Sequence, residues 1–106
     1  MTENVTELSS KEFDNFTKKE MVLIDFYADW CMPCVMMAPV IEEIARKFKG
    51  KIKFGKVNIE DNQELAQKFR VVSIPNFLLF KNGKQVEQFV GSRSIEDFEE
   101  KLKNLL

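Results

Sequence analysis

The chain contains two cysteines, Cys31 and Cys34, separated by two residues. Thiols at this spacing can form a structural disulfide, help bind a metal ion, or exchange with disulfides of other molecules. A structural disulfide would close only a short loop and would remove little chain entropy. A zinc site usually needs four ligands, but the sequence has no histidine and no second CxxC motif, so only two chains sharing their pairs could build one. The residues therefore favour a reactive pair.

The position of the pair gives the two thiols different expected roles. An apolar, strand-like run over residues 21–28 precedes them, and a helix is predicted to begin at or just before Cys31. The free N–H groups and the dipole of a first helical turn stabilise a thiolate, which lowers the pKa of a cysteine placed there. Pro33 suits that turn because its φ is already helical. We therefore expect Cys31 to be the nucleophile and Cys34, one turn further and less exposed, to be the resolving thiol.

Asp25 interrupts the apolar run, where a carboxylate would be costly to bury. In one interpretation it faces solvent at a strand edge. In the other it is buried, in which case desolvation raises its pKa toward neutrality and makes it a proton acceptor for Cys34. The residues alone leave both interpretations open.

Composition limits the classes of function. The chain has 106 residues, of which 44% are hydrophobic, and a formal net charge of -1. This length predicts a single domain over residues 1–106, and the balanced charge argues against nucleic acid or anionic lipid as a partner. The N-terminal segment lacks the pattern of a signal peptide, and no apolar run is long enough to span a membrane. We expect a cytoplasmic protein.

Capping residues and apolar periodicity predict alternating strands and helices. The predicted order is a strand near residues 5–8, a helix opened by Ser9 and Glu12, a strand over 21–28, a long helix carrying Met37, Ile41, Ile44 and Phe48, a strand over 51–59, a helix opened by Asp61 and Glu64, a hairpin turning at 81–84, and a helix opened by Ser94 and Asp97. This order indicates an α/β fold with a central mixed sheet of about five strands and helices on both faces.

The motifs around the cysteines resemble the thioredoxin family. The resemblance rests on VLIDFYADWCMPCVMMAPVIEEIA, VNIEDN, VVSIPNFLLFKNG and FVGSRS, which occur in that order over almost the whole chain. It implies the thioredoxin fold, thiol-disulfide oxidoreductase activity, electron transport and a part in cell redox homeostasis. It also implies that no bound cofactor is required, because the two sulfurs hold the electrons.

The resemblance also implies roles for residues outside the pair. It favours Asp25 as the proton acceptor and places Lys56 beside it as the residue that tunes it. It implies a cis peptide bond before Pro75, which would leave the backbone of Ile74 free to pair with an extended substrate. The implied substrate-binding residues are Trp30, Met32, Pro33, Ile74, Pro75, Val90 and Gly91.

By the same analogy, a thioredoxin reductase, either a flavoprotein or ferredoxin-linked, would recharge the protein. Its substrates would be disulfide-containing proteins such as peroxiredoxin, methionine sulfoxide reductase and ribonucleotide reductase, and it would act as a monomer. Two alternatives remain at this stage. One is a protein disulfide oxidase or isomerase, and the other is a non-catalytic binding module that uses the apolar patch around Trp30.

Overall fold

A computed structural model describes residues 4–106. Within that range the order of elements is β1 (Val5–Glu7), α1 (Ser10–Thr17), β2 (Met21–Tyr27), α2 (Met32–Lys47), β3 (Lys53–Asn58), α3 (Gln63–Lys68), β4 (Asn76–Lys81), β5 (Lys84–Val90) and α4 (Ile95–Leu105). The predicted alternation of strands and helices is confirmed. None of the helices in the described range has both the length and the apolar character needed to cross a membrane.

The five strands form one mixed sheet in the order β1-β3-β2-β4-β5. Strands β1, β3 and β2 are parallel, whereas β4 is antiparallel to both β2 and β5. The strand that carries Asp25, β2, therefore lies at the centre of the sheet. This arrangement confirms the mixed sheet expected from the sequence.

Alternating side chains of the sheet bury against helices on opposite faces. On one face, Leu23 and its neighbours pack against α2 and α4 through Ile41, Ile44, Phe98 and Leu102. On the other face, side chains of the same strands pack against α1 and α3, and the residues of that cluster include Phe13, Val22, Ile24, Phe26, Leu65 and Leu78. Burial on both faces explains why β2 reads as a nearly continuous apolar run.

Local signals placed most element boundaries correctly. Ser9 and Glu12 form the predicted capping box of α1, and the Ser94 hydroxyl accepts a hydrogen bond from the Asp97 N–H at the start of α4. The hairpin turns through Asn82 and Gly83, whose φ angles of 51° and 87° are those that the Asn-Gly pair tolerates.

The predicted cap of α3 by Asp61 and Glu64 is wrong. The N-cap residue is Asn62, and its side chain makes no capping hydrogen bond. Instead, the Asn62 amide donates to the Asn58 carbonyl at 3.0 Å and accepts from the Ser10 N–H at 3.1 Å. The Glu64 carboxylate accepts from the Ser10 hydroxyl at 2.6 Å. Contacts with α1, which lies more than 50 residues earlier in the chain, thus replace the local cap.

Candidate active site

The two cysteines lie where the central strand leads into the longest helix. Cys31 is the N-cap of α2, Pro33 occupies the first turn, and a disulfide joins Cys31 to Cys34 with their Cα atoms 5.2 Å apart. The Cys34 N–H donates to the Cys31 sulfur at 3.2 Å, and the Cys31 N–H donates to the Ala28 carbonyl at 3.2 Å. The first sulfur therefore occupies the place of a capping oxygen at the positive end of the helix.

The predicted difference in exposure between the cysteines is absent in this disulfide form. Cys31 is 4% exposed and Cys34 is 6% exposed, so the prediction that Cys34 is the less exposed of the two is wrong for this state. Their surroundings differ in another way. Cys31 receives the N–H of the helical turn, whereas Cys34 faces a cavity that Asp25 also lines.

Asp25 is buried, as the second interpretation of its sequence context requires. It is 8% exposed, and its Oδ1 atom has no hydrogen-bond partner among residues 4–106. Burial raises the pKa of the Asp25 carboxyl from its usual 3.8 to about 7, the Lys56 charge opposes this increase, and the Glu7 charge adds to it. A carboxyl with this pKa can take up or release a proton near neutral pH.

A cavity of about 190 Å³ joins Asp25 to Cys34 and to Lys56. Asp25 and Lys56 are register partners on β2 and β3, which agrees with the predicted proximity of this lysine. The cavity has room for solvent, so a proton can pass between the Cys34 sulfur and the carboxyl. The structure thus places the Cys34 sulfur and the Asp25 carboxyl beside the same cavity.

A second group of predicted residues lies beside the disulfide. The Ile74-Pro75 peptide bond is cis, as expected, and Ile74 packs against the cluster formed by Ala28 and the two cysteines. The Gly91 N–H donates to the Pro75 carbonyl at 2.8 Å. Val90, which is half exposed, pairs with Asn76 in the antiparallel ladder. The four residues 74, 75, 90 and 91 are therefore brought together.

The remaining predicted contact residues are exposed at the start of α2. Trp30 and Met32 are each 65% exposed, and Pro33 is exposed as well. The Trp30 indole N–H donates to Glu60 Oε2 at 2.6 Å, which fixes the orientation of the ring. Glu60 was not predicted, because it lies thirty residues further along the chain and its local sequence carries no signal for this contact.

The sequence also gave no indication of two further exposed apolar residues near the pair. Val35 and Met36, in the first turns of α2, are 50% and 69% exposed. Hydrophobic periodicity marks which helical residues are apolar, but it does not show which of them remain uncovered. Together with Trp30 and Met32 they extend the apolar surface beside the disulfide.

Comparison with known proteins gives a consistent result. The family model for thioredoxin matches residues 4–104. A thioredoxin of Rickettsia bellii (strain RML369-C) is 45% identical over 92 residues, which cover 86% of this chain and 86% of the relative. A thioredoxin of Chlamydia pneumoniae is 40% identical over 89 residues, covering 84% and 86%. A thioredoxin of Staphylococcus aureus (strain Mu50 / ATCC 700699) is 37% identical over 98 residues, covering 92% and 94%.

Proposed function

Because this chain belongs to the thioredoxin family of thiol-disulfide oxidoreductases, we propose that it reduces protein disulfides with Cys31 as the attacking thiolate and Cys34 as the resolving thiol. The observation that carries this assignment is the asymmetry around the pair. Cys31 caps the helix, and Cys34 shares a cavity with Asp25. This asymmetry supports a stabilised thiolate at Cys31 and removal of the proton from Cys34 by Asp25.

The first step is attack by Cys31 on a substrate disulfide. The helix dipole and the N–H of Cys34 stabilise negative charge on the Cys31 sulfur, which supports its role as the nucleophile at neutral pH. A bond forms between Cys31 and one substrate sulfur while the substrate S–S bond breaks, and the other substrate sulfur leaves as a thiolate. The product is a mixed disulfide between Cys31 and the substrate.

The second step releases the substrate. The Asp25 carboxylate accepts the Cys34 proton, directly or through one water molecule in the shared cavity. The Cys34 thiolate then attacks the Cys31 sulfur, the Cys31–Cys34 bond forms, and the second substrate sulfur leaves as a thiolate. Two electrons have moved from the protein to the substrate. Lys56, beside Asp25, tunes the acceptor through its charge.

We assign substrate binding to the apolar surface beside the disulfide and to the backbone of Ile74. Neither the N–H nor the C=O of Ile74 makes a backbone hydrogen bond within residues 4–106. These groups are therefore free to pair with an extended segment of a substrate. Trp30, Met32 and Val90 are exposed and offer apolar contacts to the substrate.

The partners of this reaction are disulfide-containing proteins and a reductase that restores the dithiol, as the family implies. We propose peroxiredoxin, methionine sulfoxide reductase and ribonucleotide reductase as substrates, and a flavoprotein or ferredoxin-linked thioredoxin reductase as the electron donor. A cytoplasmic location fits this direction of electron flow, because cytosolic thiols are kept reduced. Reduction of each purified partner, followed by thiol labelling, tests these assignments one at a time.

Trapping the intermediate tests the roles of the two cysteines. Reduced Cys34→Ser is mixed with insulin as a disulfide substrate, and the products are separated by intact-protein mass spectrometry. We expect this variant to accumulate a mixed disulfide through Cys31, because no second thiol can release the substrate. Cys31→Ser serves as the matched control and should form little or no adduct. Equal trapping by both variants, or trapping by Cys31→Ser alone, would contradict the assignment.

The role of Asp25 is tested by resolving the two steps in time. In Asp25→Asn, the first attack on insulin should keep its rate, whereas closure of the Cys31–Cys34 bond at neutral pH should slow by on the order of 100-fold, which is typical for loss of a general base. Rapid acid quenching and mass spectrometry report both steps. Unchanged closure in the variant would remove Asp25 from the mechanism.

A further inference from the structure

The ammonium group of Lys56, the register partner of buried Asp25, is paired with a different residue. Asp25 on β2, Lys56 on β3 and Glu7 on β1 form one cross-strand row, since Lys56 is the register partner of both other residues. The Lys56 Nζ atom lies 3.7 Å from Glu7 Oε1. Among residues 4–106, Lys56 makes no ion pair with Asp25, whose Oδ1 atom is left without a hydrogen-bond donor.

Tyr27 forms a hydrogen bond with Glu7, the residue that pairs with Lys56. It follows Asp25 by two residues on β2, so both side chains lie on the same face of the sheet. The Tyr27 hydroxyl donates to Glu7 Oε1 at 2.8 Å, and the Lys56 Nζ lies 5.5 Å from the centre of the Tyr27 ring. Tyr27 and Glu7 therefore define a binding position for the ammonium on the β1 side of Asp25.

Few other charges act on Asp25 among the described residues. Lys56 and Glu7 act on it from β3 and β1. Tyr27 and Asp29 line the same cavity from its own chain segment, and Cys34 does so from α2, where its sulfur is in the disulfide. On the β4 side its register partner is the apolar Phe77. The proton affinity of Asp25 thus depends on where the Lys56 charge is held.

We propose that Glu7 and Tyr27 are positioning residues for the Asp25 carboxyl, because together they anchor the Lys56 ammonium on the β1 side and so limit how strongly it stabilises the Asp25 carboxylate. The functional value of this arrangement rests on the proposed role of Asp25 as proton acceptor. A weakly stabilised carboxylate binds a proton more tightly and is a stronger base. The opposing directions in which the Lys56 and Glu7 charges move the Asp25 pKa agree with this geometry.

Glu7→Gln tests the proposal by removing the charge that anchors Lys56. In the disulfide form, carbon-13 NMR of the Asp25 side-chain carboxyl reports its titration directly. We expect the midpoint to fall by roughly half to one pH unit, because a negative charge is lost and the ammonium is free to approach Asp25. Glu20→Gln is the matched control, since Glu20 pairs with another β3 lysine, Lys53, at 3.8 Å. The control should leave the midpoint unchanged.

Tyr27→Phe provides a second variant, which keeps the ring and removes only the hydrogen bond to Glu7. We expect a smaller decrease of the Asp25 midpoint, and no further decrease when this change is added to Glu7→Gln, because Tyr27 acts through Glu7. A midpoint that stays within experimental error in Glu7→Gln, or that falls equally in Glu20→Gln, would overturn the proposal.

The same variants separate this inference from the proposed function. If the Asp25 midpoint falls in Glu7→Gln and also in Tyr27→Phe, which keeps the Glu7 charge, the positioning role stands, whatever happens to the chemistry; a fall in Glu7→Gln alone would mean that Glu7 acts by direct repulsion and would overturn it. The pH profile of Cys31–Cys34 closure then decides the role of Asp25. If the midpoint of this profile shifts together with the NMR midpoint, Asp25 is supported as the proton acceptor. If the profile does not shift, the catalytic role of Asp25 is contradicted, but the positioning of Lys56 by Glu7 and Tyr27 is not.

Discussion

Replacing Asp25 with asparagine is expected to stabilise the disulfide form of the protein at alkaline pH. Burial raises the pKa of Asp25 from 3.8 to about 7, so the folded protein binds this proton more tightly than the unfolded chain does. The contribution of Asp25 to stability is therefore fully present below about pH 4 and is lost as the pH rises through about 7. Above that pH, the buried carboxylate is a cost that asparagine avoids.

The size of this cost follows from the difference between the two pKa values. Each pH unit corresponds to about 1.4 kcal/mol, so a difference of about three units corresponds to up to about 4 kcal/mol. Asparagine has nearly the same shape as the protonated acid and carries no charge. We expect the variant to exceed the parent by this order of magnitude in free energy of unfolding near pH 8.5, and by little near pH 3.

Guanidinium chloride unfolding, followed by circular dichroism at about pH 3 and about pH 8.5, measures both differences. The matched control is Asp61→Asn, which removes an exposed carboxylate and should change stability by less than about 0.5 kcal/mol at either pH. A stability difference for Asp25→Asn that is the same at both pH values, or that favours the parent near pH 8.5, would refute the burial argument.

Two further substitutions test the packing and the contact surface. Gly55→Ala places a Cβ atom 2.7 Å from the Leu8 Cδ1 atom, so it should destabilise the fold by about 1–3 kcal/mol in the same unfolding assay. An unchanged free energy of unfolding would show that Leu8 can move aside without cost. Trp30→Ala removes a 65% exposed side chain and should leave stability within about 0.5 kcal/mol while slowing reduction of insulin. Equal loss of activity toward a small aromatic disulfide would argue against a role for Trp30 in protein contact.

The elements of this fold were predictable because their signals are local. The Ser9 and Ser94 caps, the Asn82-Gly83 turn and the apolar stripe of α2 each depend on residues within a few positions of one another. Such signals need no partner from a distant part of the chain. Where a long-range contact competed, the local signal failed, as at Asn62, whose side chain bonds Ser10 and Asn58 instead of capping α3.

The sequence was enough to predict the reactive residues of the site, but not the burial and the long-range contacts around them. The spacing of Cys31 and Cys34 pointed to a reactive pair, yet the burial of Asp25 depends on its place in the central strand, which only the assembled sheet defines. The contacts of Trp30 with Glu60 and of Tyr27 with Glu7 join residues that are 30 and 20 positions apart. No periodicity encodes such pairs. They arise from strand order, which brings β1 and β2 to either side of β3.

The equilibrium reduction potential of the Cys31–Cys34 pair tests most directly whether the chain acts as a reductant of protein disulfides. The protein is equilibrated with dithiothreitol redox buffers, and alkylation followed by mass spectrometry gives the reduced fraction. We expect a potential of about −270 mV, the value usual for thioredoxins. A potential of about −180 to −120 mV, as in protein disulfide isomerase and strongly oxidising relatives, would contradict the assignment and indicate an isomerase or oxidase.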